Sequence, residues 1–328
     1  MQQQSTITGF GLDIDSARVK LKDVVKHTPL IYNASLSKKY NCAGYLKRED
    51  LQIVRSYKLR GAYNMISSLP EDQRAKGVVC ASAGNHAQGF AYSCKVLNIK
   101  GIVFMPIITP NQKVRQTKMF GDGNIEIKLV GDTFDDCAAA AKAYTEANGM
   151  SFIPPFDHPK VIEGQATVGL EILEDLQDID YLFAPVGGGG LIAGVGAYFQ
   201  QVSPDTKIIG IEPEGAPSMS EALKQGAPVK LDSIDPFVDG AAVKRVGDYP
   251  FDICKEVIDE MFKSAEKLGM NLHKFNQSQA RIPKVARRIC FAARQKIETE
   301  LGKRVFLDLW VKVKEDWRQR DDWVEVLF

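Results

Sequence analysis

Three short stretches hold residue types that could do chemistry together. In APVGGGGLIAGVGAYF (184–199) an apolar run ends at Val186, four glycines follow (Gly187, Gly188, Gly189, Gly190), and a helical stretch opens at Leu191. Glycines let the backbone curl so that several N–H groups face one point, and a helix start adds positive potential there. That is a phosphate cradle, and it matches neither a GxxxxGK[ST] loop nor a GxGxxG turn. A close-packed strand-to-helix turn is the other reading, but four consecutive glycines exceed what a turn needs.

In ASAGNHAQGF (81–90) the small polar side chains of Ser82 and Asn85 sit beside a helix start near Gly84, where a carboxylate would be held. Ser82 alone could equally be a helix cap, and His86 alone reads as a structural histidine. In RSYKLRGA (55–62) a helix begins near Tyr57, which sets Lys58 in its first turn. A lysine there opposes the helix dipole, which lowers its pKa toward that of a useful amine. In isolation it would read as a solvated lysine.

The elements around these stretches follow one pattern. Between 77 and 212, short apolar runs (77–82, 101–105, 125–130, 151–154, 181–186, 207–212) alternate with helical stretches (84–97, 134–148, 164–176). Such alternation predicts βαβ units, a mostly parallel sheet and helices on both faces. Strands that are apolar throughout fit a sheet covered on both sides. Ligands of such sheets bind at the C-terminal strand ends, so the loops after Ser82 and Val186 are where function is expected.

The 328 residues suggest about two domains. A net charge of +1 gives no overall pull toward nucleic acid or a membrane, and no run approaches the ~18 apolar residues of a membrane helix. The N-terminus lacks a signal-peptide pattern, and the six cysteines are scattered without a CxxC pair, as expected of reduced thiols in the cytoplasm. No zinc or other metal site is expected.

A phosphate cradle, a carboxylate-binding helix start and an amine on a third element are together what pyridoxal phosphate chemistry requires. The sequence resembles the biosynthetic-type threonine dehydratases, fold-type II pyridoxal phosphate enzymes. The resemblance runs from about 15 to 260 through HTPL (27–30), YLKREDLQ (45–52), SYKLRGA (56–62), SAGNHAQG (82–89), PPFDHPKVIEGQ (154–165), PVGGGGLIAG (185–194), IGIEPEGAPSM (209–219) and DGAAVKRVGD (239–248). It implies an α/β fold of two open, mostly parallel sheets with helices on both faces, tryptophan-synthase-β-like. The larger cofactor domain would comprise 1–43 and 151–262, and the smaller substrate domain 44–150. The resemblance further implies that Lys58 binds the cofactor covalently and later takes the substrate's Cα proton. Asn85 would bond the ring hydroxyl, and Gly187–Gly190 with Leu191 the phosphate. Ser82, Ala83, Gly84 and His86 would line the site for the carboxylate of an amino-acid substrate. The implied reaction is deamination of L-threonine to 2-oxobutanoate, or of L-serine to pyruvate, by a homo-oligomer. Serine racemases are similar but carry a serine, which protonates the opposite face, where this chain has Ala83. Glu212, with Ala216 and Ser218, resembles a divalent-cation site of some relatives in which a carboxylate replaces Ser218.

The pattern breaks near Glu260. From 263 onward there are 15 Lys plus Arg against 9 Asp plus Glu, only two of the 27 glycines, and all three tryptophans (Trp310, Trp317, Trp323). The family's later segment, which completes the larger sheet and supplies a serine to the pyridine nitrogen, is missing. The larger domain is therefore expected to be incomplete, in a chain that at most binds the cofactor if the missing wall is essential. Residues 293–320 resemble the end of the KH domain of Era-type GTPases, but the nucleotide-clamping GxxG loop is absent. RNA association is one reading of this 263–328 appendage. A basic helix plus a strand filling vacant sheet space is another.

Overall fold

The computed structural model describes residues 9–264 and 322–327. The chain opens with α1 (Ile14–Leu21), β1 (Leu30–Tyr32), α2 (Ala34–Tyr40) and β2 (Ala43–Arg48), then a short 3-10 turn (Glu49–Leu51). There follow α3 (Lys58–Ser68), α4 (Glu71–Lys76), β3 (Val78–Ala81), α5 (Asn85–Leu97), β4 (Gly101–Met105), α6 (Asn111–Gly121), β5 (Ile125–Leu129), α7 (Phe134–Asn148) and β6 (Ser151–Phe152). The remainder is α8 (Pro159–Asp175), β7 (Tyr181–Pro185), α9 (Gly190–Val202), β8 (Lys207–Pro213), α10 (Ser218–Gln225), α11 (Asp248–Val257), β9 (Glu260–Ser264) and β10 (Asp322–Leu327).

These strands form two sheets. The smaller, in order β5-β4-β3-β6, is parallel throughout. The larger runs β1-β2-β10-β7-β8-β9 and is parallel except for the β1–β2 pair. β3 and β4 show why strands of this kind read as unbroken apolar runs. Val78, Cys80, Val103 and Met105 pack with Phe90 and Cys94 of α5, while Val79, Ala81, Ile102 and Phe104 pack with Cys137 and Ala141 of α7. Alternate side chains thus meet helices on opposite faces. β5 departs from that expectation, with half-buried and exposed residues, because it is the sheet's edge. The sheets also divide the chain later than the sequence suggests: β2 (43–48) pairs in the larger sheet and β6 (151–152) in the smaller.

The gap expected in the larger sheet is filled. β10 lies between β2 and β7, pairing Val324 with Tyr45 and Leu182. The KH-like stretch 293–320 lies outside the described residues. Among the described cysteines, Cys80, Cys94, Cys137 and Cys254 are buried and Cys42 is half-buried, all as free thiols.

α8 is the spine. Every residue from Val161 to Leu173 is buried, as in a helix packed on all sides. It touches α3 backbone to backbone: a Cβ on Gly164 would lie 2.5 Å from the Arg60 carbonyl oxygen and 2.7 Å from Gly61 Cα. It meets α9 similarly, because a Cβ on Gly194 would lie 2.5 Å from the Ile162 carbonyl oxygen. Gly164→Ala should therefore force α3 and α8 apart at a cost of about 1–3 kcal/mol. Urea unfolding should show a lowered midpoint at unchanged slope, and an unmoved midpoint would refute the contact.

Candidate active site

Lys58 is the first residue of α3. No acidic side chain lies in that first turn; the hydroxyl of Ser56 accepts the Lys58 backbone N–H at 3.1 Å. The Lys58 amine donates to the Pro155 carbonyl at 2.9 Å. It lies 5.3 Å from the centre of the Tyr57 ring and 5.9 Å from that of Phe156. Burial among these apolar walls lowers its pKa from 10.5 to about 8. A first-turn position predicts a pKa lowered by the helix dipole; what lowers it in the structure is burial.

α5 carries the second stretch and leans directly on α3. A Cβ on Gly89 would lie 2.9 Å from the Leu59 nitrogen and 3.0 Å from the Lys58 carbonyl carbon. This contact brings the loop Ser82, Ala83, Gly84 and the helix start at Asn85, all half-buried, to the Lys58 side. Ser82 is not the helix cap. Gly84 occupies that position, and the Ser82 hydroxyl accepts the Gly84 N–H at 3.2 Å. The first-turn amides, Asn85 and His86 among them, have no partner within the helix and can face a carboxylate. The His86 ring is committed elsewhere: it is buried and its Nε2 lies 3.0 Å from the Ile153 carbonyl. Burial, aided by the nearby Lys58 charge, lowers its pKa to about 3, so the ring is neutral.

The glycine loop closes the third side. Gly189 is left-handed (φ +94°) and precedes α9. Among the described residues no protein group accepts from the amides of Gly188, Gly189, Gly190 or Leu191. These donors lie at the start of α9, where free N–H groups fit a phosphate. The loop also packs closely. Cβ atoms on Gly187, Gly189 and Gly190 would crowd Ala241, Met219 and Phe156 respectively, and one on Gly188 would enter the Phe156 ring. The Gly188 carbonyl accepts from Gly247, and the Asp157 carboxylate accepts the amides of Asp248 and Tyr249. The segment 153–157 therefore joins all three stretches, although its residues suggested no role beyond family likeness. A buried amine of lowered pKa beside the Phe156 ring, and amides with no protein acceptor on the loop packed against that same ring, fit pyridoxal phosphate, which needs both a lysine linkage and a phosphate seat.

Glu212 serves α10. Its carboxylate accepts the amides of Met219 and Ser220 at 3.0 and 2.7 Å, and the Ser220 hydroxyl. Among the described residues no group of three or more His, Cys, Asp or Glu could hold a metal. No helix among them is long and apolar enough to cross a membrane.

Gly188→Ala should displace Phe156 or the loop and break at least one amide–phosphate bond, worth about 1.5–3 kcal/mol. Spectroscopic titration with pyridoxal phosphate should show affinity weakened roughly 10–100-fold; wild-type affinity would contradict the cradle.

Comparison with known proteins agrees with this geometry. Residues 21–270 match the family model described as pyridoxal-phosphate dependent enzyme. The chain is 57% identical over 250 residues to the L-threonine dehydratase biosynthetic IlvA of Halalkalibacterium halodurans, covering 76% of this chain. It spans 60% of the length of that relative. Its fold resembles the processed form of threonine deaminase isoform 2 from Solanum lycopersicum, with TM-score 0.81 and 38% identity over 95% of this chain and 86% of the other. Maize serine racemase gives TM-score 0.82 at 26% identity, over 95% and 91% of the two chains. The fold alone thus does not separate the two activities, but the chain belongs to the pyridoxal-phosphate dependent enzymes.

Proposed function

We propose that this chain is a lyase that deaminates L-threonine to 2-oxobutanoate and ammonia, with L-serine, giving pyruvate, as a second substrate. The observation that carries the reading is the Lys58 amine, held among apolar walls at a pKa of about 8, with α5 packed on α3 at Gly89 and the glycine loop packed on Phe156. Bound pyridoxal phosphate would supply an electron sink for the carbanion at Cα. The amides of Gly188–Leu191 would seat its phosphate, and Asn85 would bond its ring hydroxyl. Ser82, Ala83, Gly84 and the amide of His86 would orient the substrate carboxylate. Lys58 would take the Cα proton, for which a pKa near working pH is suited. Water leaves from Cβ, and the released enamine is hydrolysed to the oxo acid and ammonia. Ala83 has no proton to give to the opposite face, which supports elimination over racemisation. We also infer a cytoplasmic homo-oligomer. The net charge of +1 and the missing GxxG loop support no nucleic-acid partner.

Incubation with L-threonine and pyridoxal phosphate should release 2-oxobutanoate, and Lys58→Ala should abolish it. No release from a folded, cofactor-loaded chain would refute the reading. A separate signature lies in stability. Between pH about 8 and 10.5 the unfolded chain still binds the proton that folded Lys58 has lost. Stability contributed by this group therefore rises with pH across that window. Lys58→Met should flatten the rise in urea midpoint, and an unchanged slope would show that Lys58 titrates normally.

A further inference from the structure

Two residues beyond Lys58, Arg60 is fully buried on the opposite side of the same helical turn, facing a cluster of charges that the proposed reaction does not use. Its guanidinium forks twice. Nε and Nη2 donate to the two oxygens of Glu49 at 2.9 and 2.8 Å, and Nη1 and Nη2 to those of Glu171 at 2.6 and 2.9 Å. Nη1 also donates to the Thr167 hydroxyl and Nη2 to the Lys26 carbonyl. Glu171 is shared with the amine of Lys47, 2.8 Å away, which donates to the Thr28 carbonyl as well. Thr28 returns a hydrogen bond to Glu49. Two cations and two carboxylates thus meet inside the protein, with the part-exposed Asp175 carboxylate 3.7 Å from Lys47 at the cluster's edge. They tie α3 to β2, to the turn after it and to α8.

We propose that Arg60 is a positioning residue, which through Glu49 and Glu171 sets the rotation and depth of α3 and so the place of the Lys58 amine; this rests on the reading of Lys58 as the cofactor lysine. Three observations argue for position over charge or bulk. The N-cap residue of α3, Tyr57, makes no side-chain capping bond; the local bonds run from the Lys58 N–H to the Ser56 hydroxyl and from the Arg60 N–H to the Tyr57 carbonyl, so contacts from outside the turn decide how it sits on its neighbours. Arg60 is neutralised where it lies by Glu49 and Glu171, and it is burial that lowers the Lys58 pKa, so a substitution that keeps the cationic charge at 60 changes position and not field. Finally, the planar fork matches two carboxylates in one plane, a geometry that an ammonium cannot reproduce. A turn that rotates carries Lys58 away from Pro155 and Phe156 and toward water, where its pKa returns toward the ordinary value.

The test uses the full chain and pyridoxal phosphate as probe. Protein is mixed with the cofactor at a series of pH values and reduced with borohydride, and the labelled lysines are mapped by mass spectrometry. Wild type should label Lys58 with a midpoint near pH 8. Arg60→Lys keeps the charge and loses the fork. It should label Lys58 about tenfold less at limiting cofactor, since misplacement of roughly an ångström costs up to 100-fold, with the midpoint moved upward. Glu49→Gln, which touches neither Lys58 nor α3's backbone, should also lower the yield and raise the midpoint; loss of its negative charge would by itself lower the Lys58 midpoint, so an upward shift reports position and decides the matter if Arg60→Lys fails to fold. A core variant of comparable cost, Phe199→Ala at about 3–5 kcal/mol, should leave the midpoint unmoved. Folded Arg60→Lys or Glu49→Gln with wild-type yield and midpoint overturns the inference. A wild-type chain labelled elsewhere than Lys58 overturns the reading of the site, and the inference with it.

Discussion

The structure depends on α3 having no room to move. On one side its backbone meets α8 at Gly61 and Gly164, and on the other it meets α5 at Gly89. Both contacts replace side chains by backbone, so the distance between the helices is set by main-chain atoms. This is what makes a fully buried Arg60 tolerable. A buried guanidinium is costly unless its partners are already in place, and removing one partner of such a cluster typically costs about 3–5 kcal/mol. The helices hold Glu171 where the fork needs it, and the 3-10 turn after β2 holds Glu49. Rigid backbone contact and a matched charge cluster thus support each other.

Strand direction then brings the chemistry together. In each of the two sheets the parallel strands send their following loops to one edge, and the packing of α3 between α5 and α8 brings a loop from each sheet to Lys58. β3 delivers Ser82–Gly84, and β7 delivers the glycine loop, more than 100 residues later in the chain. The loop 153–157, leading from β6 into α8, lies between them. Phe156 illustrates the economy of that loop. Its ring fills the space that only glycine at 188 leaves open and forms one wall beside the Lys58 amine. Apolar surface there lowers the amine's pKa without any neighbouring cation.

How much of this could be read from the sequence follows from the range of each interaction. Strand runs such as 101–105 and helix 134–148 are set by local composition, and they are found at those bounds. The glycines at 187–190 were readable as a curl, but not as a packing necessity, because Ala241, Met219 and Phe156 come from distant segments. Helix α8 begins at Pro159, five residues before the apolar pattern suggested, since His158 caps it and proline suits the first turn. The Arg60 cluster was invisible for the same reason. Its partners Glu49 and Glu171 lie 11 and 111 residues away, and nothing in a charged residue's neighbours tells whether it will be paired inside or solvated outside. In the sequence, the KREDL and KLRGA stretches carry family likeness and no sign of this pairing. The antiparallel β1–β2 pair, whose strands are joined through α2, is not legible in the sequence, because a three-residue strand such as β1 carries too little pattern.

The larger sheet carries the argument one step further. β2 supplies Lys47 and leads into Glu49, and β7 leads into the glycine loop, yet the two strands do not pair with each other. β10 pairs with both, Glu325 lying opposite Leu46 and Phe183. Strands neighbour one another at about 4.8 Å, so one intervening strand sets β2 and β7 roughly 10 Å apart. That spacing fixes how far the charge cluster anchoring α3 stands from the phosphate seat. Ladder pairing is made by backbone groups, which every residue but proline supplies in full, so it asks little of a strand's particular sequence. The run DWVEVL contains no proline, and its valines and tryptophan favour extended backbone. A segment whose surroundings differ in charge and glycine content from the rest of the chain can therefore hold the two halves of the site at their working distance.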